Sequence, residues 1–322
     1  MKTENPEKEN IVDYNTNLLR YIEANYNLVK TLYLDLGVCK VRLLCYSELF
    51  IPHIEKQLGY TAREYIDKYD TTIVLWNEPS INSTVSSYDS DTKTYFYGVK
   101  NLEPEEFIKE GHLLVKILYQ ILKTENTNLI HGACVGLNNN GVLFCARGQR
   151  GKSTLTVLSM IEGFEYVSDD YLTLEKDGNN LYAHPIYSII TLSPRMYNEL
   201  YDRLGGTRFV SNNARKDKYV LNIANFHNQF KTKYPIKLCM FPEITSDPDP
   251  LITECSIQEK GRAITHLVHS TILQMQDFEN YSSSKKLINM VQNFKFYKIN
   301  LCNDIYRNVE CLKKFMKEYK ND

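Results

Sequence analysis

Apolar positions along this chain recur at two periods. Residues 18–32 carry them at helical spacing, whereas 41–46, 72–76 and 94–97 are β-rich runs separated by polar or turn segments. Residues 82–83 and 87–91, rich in Asn, Ser and Asp, predict loops. Pro104 stands where a helix makes its first turn. Leu113, Leu114, Ile117, Leu118 and Leu122 follow at helical spacing, so one long helix is predicted to run towards Lys123. These elements predict a smaller N-terminal α/β portion.

A polar break at 124–128 predicts a domain boundary, with an accessory portion over 1–125 and a second domain over 126–322. Past the break, 129–137 and 142–145 are apolar runs joined by Asn138-Asn139-Asn140-Gly141. Residues that tolerate positive φ between two such runs predict a hairpin. Residues 151–162 suit a helix with Leu155, Leu158 and Ile161 on one face and Gly163 placed to end it. A short strand is predicted at 164–167, and a second hairpin over 171–175 and 181–183 around Asp177-Gly178. Strands at 234–241 and 296–301 and helices at 261–274, 283–292 and 305–319 complete the pattern.

The candidate chemistry gathers where the first hairpin ends. Leu143-Phe144-Cys145-Ala146-Arg147-Gly148-Gln149-Arg150-Gly151-Lys152-Ser153-Thr154 is an apolar strand, then a small-residue loop, then the start of a helix. Such a loop turns backbone N–H groups and the positive end of a helix dipole towards a phosphate. Lys152 can reach the terminal phosphates of a nucleotide, and Ser153 offers a hydroxyl to Mg²⁺. Arg147, Gly148, Gln149, Arg150, Gly151, Lys152, Ser153 and Thr154 are therefore the candidate nucleotide-binding residues.

Asp169-Asp170 follows, with Asp170 eighteen residues after Lys152. A helix over 151–162 runs ~18 Å, and the strand after it returns ~13 Å. If the crossover is the usual right-handed one, both strands end at one sheet edge, where open α/β sheets bind ligands. Two carboxylates there can divide the labour: one serves a metal, the other takes the proton of an attacking hydroxyl. His131, on the strand before the hairpin, is the third candidate.

Composition narrows the partners. A formal net charge of -1 provides no broad basic field, so no nucleic-acid partner is expected, and Lys231, Lys233 and Lys237 are expected to form a solvated face. No apolar run reaches the ~18 residues of a bilayer span. Residues 1–10 are charged and interrupted by Pro6, unlike a signal peptide, so no membrane association and a cytoplasmic location are expected. The eight cysteines show no CxxC or ligand-like spacing and are expected to be small apolar core residues.

Ile130-His131-Gly132, the loop from Ala146 to Thr154 and Val167-Ser168-Asp169-Asp170 together resemble the catalytic core of HPr kinase/phosphorylase-like proteins. Those proteins share their fold with phosphoenolpyruvate carboxykinases. The likeness covers residues 128–185 well and extends loosely to about 270. It implies an α/β fold with a P-loop core, residues 126–322 as nucleotide-binding catalytic domain, and ATP and Mg²⁺ as cofactors. Residue by residue, it implies Lys152 on the β/γ-phosphates, Ser153 and Asp169 at the metal, Asp170 as the base and His131 in the active site. A cation for the transferred phosphoryl is implied as well, for which Arg150, Arg215 and Lys218 are candidates.

Three departures qualify the likeness. Ala146 replaces the first loop glycine, which a negative φ there would tolerate. The family's metal-binding glutamate has no match in 181–198, which contains no acidic residue, and no Arg-Gly-rich phosphorolysis signature is present. A kinase-only relative is therefore expected. The N-terminal portion resembles the shorter kinase-like proteins that accompany bacterial peptide-modification genes. This implies an acceptor serine on a peptide or small protein, and assembly into a homo-oligomer. Two other readings stay open: a small-molecule kinase acting on an amino acid or sugar, and a non-catalytic nucleotide-binding module.

Overall fold

The computed structural model describes residues 10–58, 61–77, 85–99, 113–204, 210–211, 219–275 and 281–319. The chain forms two compact units, one of residues 1–56 and 62–111, the other of 57–61 and 112–322.

The first unit is built on a six-stranded sheet in the order β3-β1-β2-β4-β6-β5. Its elements are α1 (Asn10–Asn25), β1 (Lys30–Asp35), β2 (Lys40–Cys45), α2 (Ile51–Leu58), β3 (Ala62–Arg63), β4 (Thr71–Asn77), β5 (Val85–Asp89) and β6 (Thr94–Val99). The parallel strands β2, β4 and β6 form the centre, with antiparallel neighbours outside. β4 is buried along most of its length, as a central parallel strand should be, and Val74, Trp76 and Phe96 pack with Leu18 and Ile22 of α1.

Two expectations fail here. The helix predicted over 18–32 ends at Asn25, and Leu32 lies in β1. Leu32, Leu34 and Leu36 are buried alternately, so the period of two overrode the helical pattern. Residues 87–89, predicted as loop, form part of β5, an edge strand that needs apolar residues on neither face. Residues 82–83 and the start of the helix at Pro104 lie outside the described residues.

The second unit holds α3 (Leu113–Leu122), β7 (Thr127–His131), β8 (Ala133–Leu137), β9 (Asn140–Phe144), α4 (Lys152–Ile161), β10 (Glu165–Ser168), β11 (Tyr171–Asp177) and β12 (Asn180–Pro185). It continues with β13 (Ile189–Leu192), α5 (Pro194–Leu200), β14 (Val210–Ser211), β15 (Tyr219–Asn222), a 3₁₀ segment (Ile223–Gln229) and β16 (Tyr234–Ile244). β17 (Leu251–Glu254), α6 (Ile257–Met275), α7 (Tyr281–Val291), β18 (Lys295–Leu301) and α8 (Ile305–Glu318) complete it. α3, which packs on β7 and α6, belongs to this second compact unit.

Nine strands form the main sheet, in the order β10-β8-β9-β16-β12-β11-β7 with a branch. One edge of the long strand β16 pairs with β12 near its start and with β18 further on, so the sheet forks there. Along β9, Val142 and Phe144 face a core shared with α4 and α8, while Leu143 and the following Cys145 face α6 and α7. The alternation places helices on both faces, and each large apolar side chain so buried contributes about 1.5–3 kcal/mol.

The predicted hairpin of β8 and β9 turns through Asn138 and Asn139, both at positive φ, which matches the twist of paired strands. The predicted run 129–137 breaks at Gly132 into β7 and β8, which pair with different neighbours. β10 and β9 are both antiparallel to β8, so the strands flanking α4 run the same way with β8 between them. Lys231 and Lys233 pair with Glu165 and Glu175 at 2.9 and 2.8 Å. No helix among the described residues is long and apolar enough to cross a membrane.

Candidate functional site

The site begins where β9 leaves the sheet. Cys145 N still donates to Met240 O of β16 at 2.9 Å, and Ala146 is fully buried, so the strand is held until the loop starts. Ala146 is not among the residues with positive φ, so a glycine is not required there. Residues 147–150 are exposed, with Gln149 at φ 62°. Gly151 closes the loop at φ 86° as the N-cap of α4, and no side chain caps that end. An added Cβ at Gly151 would lie 2.7 Å from Leu301, so both the backbone sense and the space demand glycine.

Lys152 is the first residue of α4 and only 5% exposed. Its ammonium curls back onto the loop, donating to Ala146 O at 2.7 Å and Arg147 O at 3.1 Å. A buried charge needs such partners, and they hold Nζ at the mouth of the helix. The result is a loop closed around a cation beside an uncapped helix start, the arrangement that attracts an anion.

The second wall comes from the turn between β10 and β11. Tyr171 N donates to Asp169 O at 2.9 Å across Asp170, whose φ is 68°. This sense of three-residue turn is rare and strained. It is held from both sides: Gly132 N donates to Asp170 O at 3.0 Å, and Ser168 Oγ donates to Tyr171 O at 2.5 Å. The turn points Asp170 at the loop. Its carboxylate stands 3.7 Å from His131 Nε2 and accepts a 3.4 Å hydrogen bond from Thr191 Oγ1. His131 in turn is fixed through its backbone, whose N–H donates to Thr271 Oγ1 of α6 at 3.1 Å.

Between these walls lies a cavity of about 380 Å³. Gly148, Gln149, Gly151, Lys152, Ser153 and Thr154 line it from the loop and helix; His131, Asp170 and Tyr171 line it from the sheet. Of the residues expected from sequence, Arg147, Arg150 and Asp169 are not in its lining. Asp169 is 2% exposed, so direct contact with a metal in the cavity would require its side chain to turn out of the interior. Arg215 and Lys218 lie outside the described residues.

The wall that sequence reading missed is Thr191, Leu192, Ser193 and Met196. Ser193 caps α5 by accepting from Met196 N, with Pro194 in the first turn. Ser-Pro before a helical stretch is a readable start signal, and it marked this wall. The wall carries hydroxyls where no carboxylate is available. Beside Tyr171, whose ring meets its own edge-on at 6.0 Å, the Tyr187 phenol is pushed up from its ordinary range by burial and then by the charge of Asp170. Among the described residues, no group of three or more His, Cys, Asp or Glu could hold a metal by itself. Magnesium fits such a site only if substrate phosphates supply much of its coordination, with Ser153 Oγ among the hydroxyl oxygens in the lining.

No family model and no curated protein matches the chain. Among solved structures it is similar to the Hpr(Ser) kinase/phosphatase from Coxiella burnetii, at 11% sequence identity and a TM-score of 0.32. The alignment covers 59% of this chain and 97% of that chain.

Proposed function

We propose that this protein is an ATP-dependent kinase that transfers a γ-phosphoryl group to a hydroxyl, the acceptor being a serine of a peptide or small protein. The observation that carries the reading is the convergence, on one cavity, of an uncapped helix start with Lys152 and of Asp170 beside His131. The loop amides and Lys152 would cradle the β/γ-phosphates, and Ser153 would hold Mg²⁺ against them. When bound, the ion neutralises charge on the phosphate oxygens.

The remaining chemistry falls to the protein. The acceptor oxygen forms the new P–O bond, its proton passes to the Asp170 carboxylate, and the bond to the β-phosphate breaks to release ADP. His131 orients that carboxylate from one side and Thr191 from the other. Lys152, lodged at the loop, would meet the charge on the phosphates with its ammonium.

Calorimetric titration with ATP and Mg²⁺, together with transfer of labelled phosphoryl to serine peptides, tests this. Wild type should bind and transfer; Asp170→Asn should bind alike and not transfer. Normal turnover by that variant, or no nucleotide binding by wild type, would sink the reading.

A further inference from the structure

The β11–β12 pairing sets Leu172 opposite Pro185. Carried two residues further, past the end of β12, the same register places Tyr187 opposite Asp170. The rings agree with that placement: Tyr187 meets Tyr171 edge-on, with centroids 6.0 Å apart and planes at 89°. The chain is pinned just beyond, where Ser188 O accepts from Ile223 N at 3.3 Å and Ile189 O accepts from Tyr166 Oη at 3.1 Å. Thr191, which donates to Asp170, follows on the same segment.

Tyr187 is 5% exposed, and its hydroxyl is buried with no hydrogen-bond partner among the described residues. Other buried phenols of this unit are bonded: Tyr166 Oη donates to Ile189 O, and Tyr234 Oη donates to Glu165 Oε2 at 2.5 Å. An unmet buried hydroxyl costs stability that a phenylalanine would not, so an orphan opposite a reacting group calls for a partner in another state. The charged group that acts on this phenol is Asp170. Its contacts to Thr191 and His131, at 3.4 and 3.7 Å, are long for hydrogen bonds and leave the carboxylate room to turn. Phosphates entering the cavity repel a carboxylate on its wall, and a donor on the interior side holds that carboxylate in place.

We propose that Tyr187 is a positioning residue: with nucleotide in the cavity, its hydroxyl donates to the Asp170 carboxylate and fixes the direction in which that base faces the acceptor. Tyr187 is not in the cavity lining, so it acts through Asp170 and not on the substrate. This rests on the kinase reading for the role of Asp170, but the contact itself can be measured apart from transfer.

The test is Tyr187→Phe in the full chain. With ATP, Mg²⁺ and a serine peptide, kcat should fall about tenfold or more while KM for ATP stays. The urea midpoint should not fall, because the free protein has no bond to that hydroxyl to lose. In an Asp170→Asn background the same substitution should add no further loss. Wild-type kcat in Tyr187→Phe, or an equal loss in both backgrounds, would overturn the proposal, as would a fall in kcat matched by a lower urea midpoint. The contact is read separately by NMR of tyrosine labelled with ¹³C at Cζ, the Tyr187 resonance being the one missing from Tyr187→Phe. Adding ADP and Mg²⁺ should shift it in wild type and not in Asp170→Asn; no shift in nucleotide-bound wild type, or the same shift in both, would overturn the proposal. A wild type that binds nucleotide and shows the shift but transfers nothing would keep the contact and remove the kinase.

Discussion

His131 and Asp170 face each other because Tyr171 is the register partner of His131 across the β7–β11 pair, which sets Nε2 and Oδ1 3.7 Å apart. Neither residue is near the other in sequence. The strained turn at Asp170 and the break in the chain at Gly132 meet through the Gly132 N–H to Asp170 O bond. Strain of this kind persists only where surrounding structure enforces it, and here it points a carboxylate at the loop.

Asp170→Asn keeps a residue that tolerates φ 68° and removes the group that takes the proton. Transfer should fall by about 10²–10⁴-fold with nucleotide affinity unchanged, as read from initial rates against calorimetric binding. A variant that binds nucleotide and transfers at the wild-type rate removes Asp170 from the role of base.

Gly151 and Gly148 separate conformation from space within one loop. Gly151→Ala would carry a left-handed backbone cost of about 1–2 kcal/mol and press on Leu301, so its urea midpoint and nucleotide affinity should both drop. Gly148→Ala meets no atom within 4 Å and should stay within about 0.5 kcal/mol of wild type. Equal stability of the two variants would contradict the loop geometry.

Thr271 receives the backbone N–H of His131 in a buried setting. Thr271→Val keeps the shape and deletes the acceptor, which should cost about 1–3 kcal/mol. Because the bond positions His131, transfer should fall with it while ATP affinity stays. Amide exchange at His131 is the direct measurement; unchanged protection in Thr271→Val would refute the contact.

Glu259 sits in a capping box at the start of α6, accepting from Ser256 N at 3.0 Å while its own N–H donates to Ser256 Oγ. The hydrogen bond from Lys298, then that from the Ser256 N–H, lower its pKa from the usual 4.5 to about 2. The folded state thus prefers the carboxylate, so the contribution to stability is complete above pH 4.5 and fades as pH falls towards 2. Glu259→Gln should be less stable than wild type at neutral pH, and the gap should close over that window. A gap independent of pH in urea titrations would show that the charge is not involved.

Much of the second unit was legible in the chain. The Asn138-Asn139 turn, Gly163 after α4 and the apolar alternation of β9 and β16 each follow from local backbone preference, so their elements could be read directly. The 18–32 helix misled because Leu32 satisfies either period, and only pairing with β2 chose the strand. The Ser-rich β5 was hidden because an edge strand draws its stability from β6 rather than from its own side chains.

The sequence by itself determined the loop, its lysine and the pair of acids that ends eighteen residues on, since glycine, charge and helix-start chemistry act over a few residues. Only the tertiary structure decided that Asp170 and not Asp169 opens on the cavity, and that Thr191 and Ser193 join its lining. The physical reason is reach. Side-chain direction at a turn, and which strand lies beside which, are set by hydrogen bonds between segments tens of residues apart, and no local pattern carries that information.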